Sequence, residues 1–220
     1  MRVFRIALVV GLLIGLTAAV SAQDVSLGGR LSAGPTWFGG GDWDDVHDDD
    51  DVDNLLGFGF GVDLLAEIGL APNFAVRTGL GYARHAGGIK TDDGELTVSS
   101  NLLSLPVYLK PGVEVGPGSL YGLIGPQLSF VVGDVSSEAD LNGLSFEDSD
   151  EPDNRLLFGL GLGGGYAIAL DDGLSLFFDT VFSTTFNSPS DPDDNDDLFG
   201  IDDGPRLRGV SIGAGVTTSF

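Results

Sequence analysis

Three sets of residues in this chain have types and spacings that could support chemistry. Asp191, Asp193 and Asn195 stand at the 1-3-5 spacing of a calcium loop, with Asp202 at its twelfth position. Alternate oxygen-bearing side chains in a tight loop converge on one point, which is what a hard cation needs. Position 6 is Asp196 rather than the glycine of the sharp turn, and Asp202 replaces the usual bidentate glutamate. These four residues are therefore a candidate for loosely held Ca2+, and no resident cofactor is expected. The plain alternative is a solvated negative rim that keeps the surface soluble.

The second set is His85 with Ser99 or Ser100. A base next to a hydroxyl is the minimum for a nucleophilic, lipid-modifying site, but it also needs an acid to orient the base. No sequence feature marks one. The third set consists of isolated charges in otherwise apolar and glycine-rich segments: Arg30, Asp63, Glu67, Arg77, Lys110 and Asp179. Charges held in such surroundings must pair. Gly159 to Gly164 also fits G-x-G-x-x-G, but a phosphate-binding reading requires a strand-to-helix turn, and these glycines continue an alternating pattern to Tyr166 without a helix start.

What positions these residues is two-residue alternation, the period of a strand with two different faces. Leu56, Phe58, Phe60, Val62, Leu64, Ala66 and Ile68 alternate with Gly57, Gly59, Gly61, Asp63, Leu65 and Glu67. The pattern recurs in 155–170, 174–187 and 206–220. Eight such segments are expected, over 25–37, 55–69, 74–86, 95–110, 119–133, 155–170, 174–187 and 206–220. They exceed the roughly 5 or 6 residues usual for strands of water-soluble proteins. A tilted strand needs roughly 10 residues to cross an apolar band of about 25 Å.

Between the segments, Ala71-Pro72-Asn73, Gly116-Pro117-Gly118 and Asp171-Asp172-Gly173 make tight turns, whereas acid clusters fill the other connections. These clusters are DWDDVHDDDDVD at 42–53, TDDGE at 91–95, SFEDSDEPD within 134–153, and the 188–203 segment that holds the calcium candidate. Short turns on one side and long loops on the other are the asymmetry of outer-membrane barrels. The expected fold is all-β: an eight-stranded, up-and-down antiparallel transmembrane barrel with acidic external loops. Pro106 lies inside the fourth strand and predicts a bulge or local break, since proline cannot donate to a ladder. Trp37, Trp43, Tyr82 and Tyr121 read as interfacial aromatics.

The N-terminus and composition fit that expectation. Arg2 and Arg5 precede the apolar run Ile6–Leu16, and Val20-Ser21-Ala22 offers a cleavage site, so residues 1–22 read as a signal peptide and 23–220 as the barrel domain. The 220 residues hold 33 Asp and Glu, 10 Lys and Arg and no cysteine, for a net charge of −23. This balance argues against nucleic acid as a partner, because little is available to neutralise phosphates. Mean hydropathy is nevertheless +0.20, so acid and apolar residues must be segregated along the chain. If the alternation holds, the six isolated charges and Gln127 face a lumen just wide enough to be filled by side chains. A salt-bridged plug follows most simply; an ion or proton pathway is the functional alternative.

Leu102–Lys110 (LLSLPVYLK) resembles a strand of the PorT-like outer-membrane β-barrel family, and Leu120–Val132 (LYGLIGPQLSFVV), with Gly125-Pro126, resembles the strand that follows it. Phe220 matches the terminal aromatic of barrels inserted by the outer-membrane assembly machinery. Ser104 stands where that family carries an acidic residue, so no role of that carboxylate carries over. The resemblance implies the outer membrane of a Gram-negative bacterium, contact with lipid and lipopolysaccharide, and passage through the assembly machinery. It implies no chemistry, and any extracellular ligand or secretion partner is left open. The leading functional expectation is a non-enzymatic structural or surface-binding barrel, with a lipid-modifying enzyme and a narrow ion channel as alternatives.

Overall fold

The computed structural model describes residues 25–39, 52–91, 94–141, 144–152, 154–171, 173–189 and 206–219. The signal-peptide segment, Asp191, Asp193, Asn195 and Asp202, and also Trp43, His47 and Phe220, lie outside the described residues. The described part is built from ten strands: β1 (Val25–Gly39), β2 (Val52–Leu55), β3 (Gly57–Ala71), β4 (Phe74–Thr91), β5 (Gly94–Val115), β6 (Gly118–Leu141), β7 (Leu144–Asp150), β8 (Leu156–Asp171), β9 (Leu174–Thr185) and β10 (Arg206–Ser219). Eight of them close an antiparallel ring in the order β1-β3-β4-β5-β6-β8-β9-β10, sealed where β10 pairs with β1. The short β2 and β7 are additions on the outer side, pairing with β4 and β6. Closure leaves no open edge in the ring, which is the condition for holding backbone polar groups in hydrocarbon.

Several strands run past their expected ends. β4, β5 and β6 are 18, 22 and 24 residues long. A strand of 24 residues spans roughly 80 Å at about 3.3 Å per residue, well beyond the roughly 10 residues that a bilayer requires. The acidic stretches TDDGE and SFEDSDEPD are therefore not simple loops. The first begins and ends in paired strand residues, with Lys90 opposite Glu95 and Thr91 opposite Gly94. The second supplies β7, which folds back on β6 with Leu141 opposite Leu144.

The local break expected at Pro106 is present, without a bulge, since neither Pro106 nor Leu105 has a partner on β4. Partners on β4 step from Thr78↔Val107 to Gly81↔Ser104 in unchanged register, and Thr78 Oγ1 donates to the Pro106 carbonyl at 2.8 Å. The bulge lies higher, where Ser99 pairs with Ser136 but Asn101 pairs with Val132, so three β6 residues oppose Ser100 alone. Gly133 takes a φ of +77° within it, a conformation that most residues avoid.

The two faces are separated by chemistry. Leu31, Phe58, Phe60, Leu64, Leu103, Leu160, Phe178 and Ile212 all point outward and are exposed. So much exposed apolar surface is unfavourable in water and matches hydrocarbon. The inner face carries two buried apolar clusters. The lower one contains Leu65, Tyr108, Tyr121, Leu123, Phe177 and Val181; the upper one contains Phe38, Leu102, Val131, Leu157 and Leu207.

Leu64 is 69 % exposed on the mid-barrel wall and Leu144 is 64 % exposed at the outer hairpin, so solvent-accessible area alone predicts equal tolerance. We expect Leu64→Arg to cost about 2–4 kcal/mol in the unfolding of vesicle-reconstituted protein, because a lipid-facing charge near the midplane is penalised. Leu144→Arg is expected to stay within about 0.5 kcal/mol. Equal effects in urea titrations would show that the wall does not face lipid.

Candidate functional site

The inner faces of five strands bring six charged residues into one continuous chain of alternating sign. Arg30 on β1 donates from Nε to Asp179 Oδ1 on β9 at 2.7 Å and from Nη1 to Asp63 Oδ2 on β3 at 3.1 Å. Arg77 on β4 donates from Nη1 to the other Asp179 oxygen at 2.7 Å. Its Nε donates to Glu67 Oε1 on β3 at 2.6 Å, and Lys110 on β5 donates to Glu67 Oε2 at 2.6 Å. The order is Asp63–Arg30–Asp179–Arg77–Glu67–Lys110, three acids and three bases. The Asp179 side chain is fully buried, so its charge is tolerable only because two guanidiniums and the Tyr121 hydroxyl, 3.3 Å away, hold it.

Neighbouring strands complete the shell. Ser211 on β10 accepts from Arg30 Nη2 at 3.0 Å. Phe177 and Tyr121 place their rings against the Arg77 guanidinium, 4.6 and 5.0 Å from ring centre to Cζ, and Lys110 Nζ sits 4.4 Å from the Tyr121 ring centre. These are attractive cation–π contacts, and they also exclude water from the pairs. Tyr121 is thus a lumen residue, 4 % exposed, and not an interfacial aromatic. Trp37 and Tyr82 do lie on the outward face, where Trp37 packs 6.2 Å from Phe182 and the Tyr82 hydroxyl donates to Asn101 Oδ1 at 3.0 Å.

The glycines make room for this chain. A Cβ at Gly81 would strike Asp63 Oδ1, and one at Gly213 would strike Arg30 Nε. One at Gly165 would lie 2.6 Å from the Tyr121 hydroxyl, and one at Gly161 would meet the Tyr108 ring. The G-x-G-x-x-G stretch therefore belongs to a strand whose missing side chains clear space for tyrosines reaching across the lumen.

Above the charges, toward the outer end, lies a cavity of about 110 Å³. Arg30, Asp63, Arg77 and Asp179 form its floor, and Ser32, Thr36, His85, Gln127, Ser183 and Ser211 contribute polar wall. Gln127 accepts from the Tyr108 hydroxyl at 2.8 Å and donates to Ser129 at 3.2 Å. The upper apolar cluster, on the same inner face nearer the external ends, lies between this cavity and the outside.

His85 lies directly opposite Ser100 on β5, both on the inner face. His85 Nδ1 and Ser100 Oγ are each buried without a hydrogen-bond partner, so no nucleophile–base bond links them. Ser99 faces outward and accepts from Arg84 at 3.3 Å. Among the described residues, no group of three His, Cys, Asp or Glu side chains is placed to hold a metal ion.

Comparison with known proteins agrees with this architecture. Residues 10–189 match the family model of the outer membrane protein beta-barrel domain. No curated protein matches the sequence. Among solved structures, the outer membrane protein OprG from Pseudomonas aeruginosa superposes with a TM-score of 0.53 at 14 % identity, covering 90 % of this chain and 96 % of that one. Neisserial surface protein A gives 0.45 at 14 % identity, over 88 % and 97 % of the two chains. The attachment invasion locus protein of Yersinia pestis gives 0.44 at 12 % identity, over 90 % and 100 %. The OprG likeness shows the barrel fold.

Truncation of Asp179 to alanine removes the carboxylate shared by Arg30 and Arg77 and leaves each guanidinium with one acid, Asp63 and Glu67, and we expect a loss of about 3–5 kcal/mol in urea unfolding. Gly213→Val, which displaces Arg30 without removing a charge, is expected to lower stability as well. A stability change under about 0.5 kcal/mol in both variants would show that the lumen charges are solvated rather than buried.

Proposed function

This chain belongs to the outer membrane protein beta-barrel domain family and resides in the outer membrane, and on that premise we propose that it is a non-enzymatic, non-conducting barrel acting as a surface-binding platform. The six-residue charge chain across the lumen carries this reading. An ion crossing the barrel would have to break short, desolvated pairs and then pass an apolar layer at the outer end. The His85–Ser100 pair lacks both a mutual hydrogen bond and an orienting acid, which supports a non-catalytic role. Binding then falls to the external hairpins, whose strands rise past the membrane.

Companion proposals concern the partners. Lipid covers the apolar wall, and lipopolysaccharide phosphates meet the acidic rim through bridging cations. Ca2+ associates loosely with Asp191, Asp193, Asn195 and Asp202, for which the ligand spacing is the support. Insertion proceeds through the outer-membrane assembly machinery, and the LLSLPVYLK strand ties the chain to the PorT-like branch of these barrels.

In planar bilayers the wild-type protein is expected to give no stepwise conductance, whereas the combined Arg77→Ala and Asp179→Ala variant gives small, frequent openings. Regular steps from the wild type at moderate voltage would establish the channel reading instead.

A further inference from the structure

Above the bulge at Ser100, the β4–β5 and β6–β7 hairpins continue as a sheet outside the ring. Two adjacent cross-strand rows, one on each face, differ in character, and Asp148 and Asp150 follow Phe146 on its face of β7. Ile89 pairs with Leu96, Leu96 with Ala139, and Ala139 with Phe146, so one apolar row runs across four strands. Directly opposed residues share a face. This row has the parity of Val98 and Val135, which pack on the upper lumen cluster, so it continues the inner face upward. Phe146 is 58 % exposed there.

The other face carries Glu138 directly opposite Glu147, with Asp140 on the next outward row opposite Ser145 and Glu95. Opposed like charges are destabilising until a cation comes beside them. β7 is the last strand of this sheet. All seven of its residues are exposed, and among the described residues it pairs only with β6. Its outer edge thus offers backbone groups to a further strand.

We propose that β7 is a docking edge for an extended basic segment of another protein that sets an apolar residue beside Phe146 and Lys or Arg beside Glu147, Asp148 and Asp150. The proposal rests on the platform reading above and names the partner class of that surface. A strand added at this edge has the same period of two. Its residue beside Phe146 extends the apolar row; the next, beside Glu147, relieves the like-charge pair if it is Lys or Arg. A second copy of this chain fits poorly, because antiparallel pairing of two β7 edges centred on Glu147 sets two glutamates against each other.

The test uses the full barrel refolded in zwitterionic phosphatidylcholine vesicles and a fluorescent lysine–valine peptide, lysine throughout except for one central valine, read by anisotropy. Saturable binding is expected. It should weaken at least about tenfold with a glutamate–valine peptide, with the lysine–valine peptide N-methylated along one backbone edge, and in the Phe146→Ser and Glu147→Lys variants. Heat-modifiable gel migration confirms that each variant keeps the barrel. No saturable binding, or equal binding of the N-methylated peptide, overturns the proposal. Either result with an intact, non-conducting barrel leaves the platform reading standing, whereas wild-type conductance refutes that reading directly.

Discussion

The Asp179 carboxylate is the point on which the interior turns. It is fully buried in a barrel only eight strands wide, and an ionised group there is tolerable only with its lone pairs occupied by fixed donors. Arg30 and Arg77 satisfy it from one side each, and every other feature of the lumen follows from holding those two guanidiniums. Arg30 needs a second acid, found in Asp63; Arg77 needs Glu67, whose remaining oxygen takes Lys110. The planar faces of Arg77 meet Phe177 and Tyr121. The inward glycines then read as the negative of these side chains, since a single added carbon at Gly81 or Gly213 would displace a member of the chain.

This arrangement couples the circumference of the barrel to its centre. Groups from β1, β3, β4, β5, β6, β9 and β10 touch the charge chain or its aromatic shell, and β8 contributes space rather than contact. In a membrane the outer wall gains little specificity, because lipid is as apolar as the side chains it covers. Register must then come from backbone pairing and from the interior. A one-residue slip of any of the five strands that carry these charges would turn a charge from the lumen to the lipid, where it is unfavourable by several kcal/mol. The charge chain therefore favours a single register of the strands that carry it.

Much of this can be read from sequence because the side-chain period of a strand is two. Parity assigns Asp63 and Glu67 to the face of Gly57–Gly61, and strand length with turn asymmetry indicates a membrane barrel. Which acid meets which base is not legible, since it depends on the stagger between strands. Tyr121 shares the parity of Gln127, and Tyr108 that of Lys110, so both tyrosines carried a readable inward signal; aromatic chemistry alone points to an interface and misleads. Acid-rich composition likewise suggests loops at 91–95 and 134–153. Cross-strand pairs such as Lys90 with Glu95, and an apolar row broken into single residues on four strands, become visible only once the register is known. Pro106 was legible in kind, because its missing donor interrupts the ladder to β4 at Leu105 and Pro106, while the unchanged register on either side is visible only in the structure.

The six lumen charges act as one cooperative, buried unit. A double-mutant cycle between Arg77 and Asp179, using Arg77→Met and Asp179→Leu and urea unfolding in vesicles, tests it most directly. The two residues share a 2.7 Å bond between buried side chains, so the double variant should be more stable than the sum of the single losses predicts, with a coupling of about 2–3 kcal/mol. Additive effects, within about 0.5 kcal/mol, would mean that the charges are independently hydrated and that the barrel is held by its wall alone.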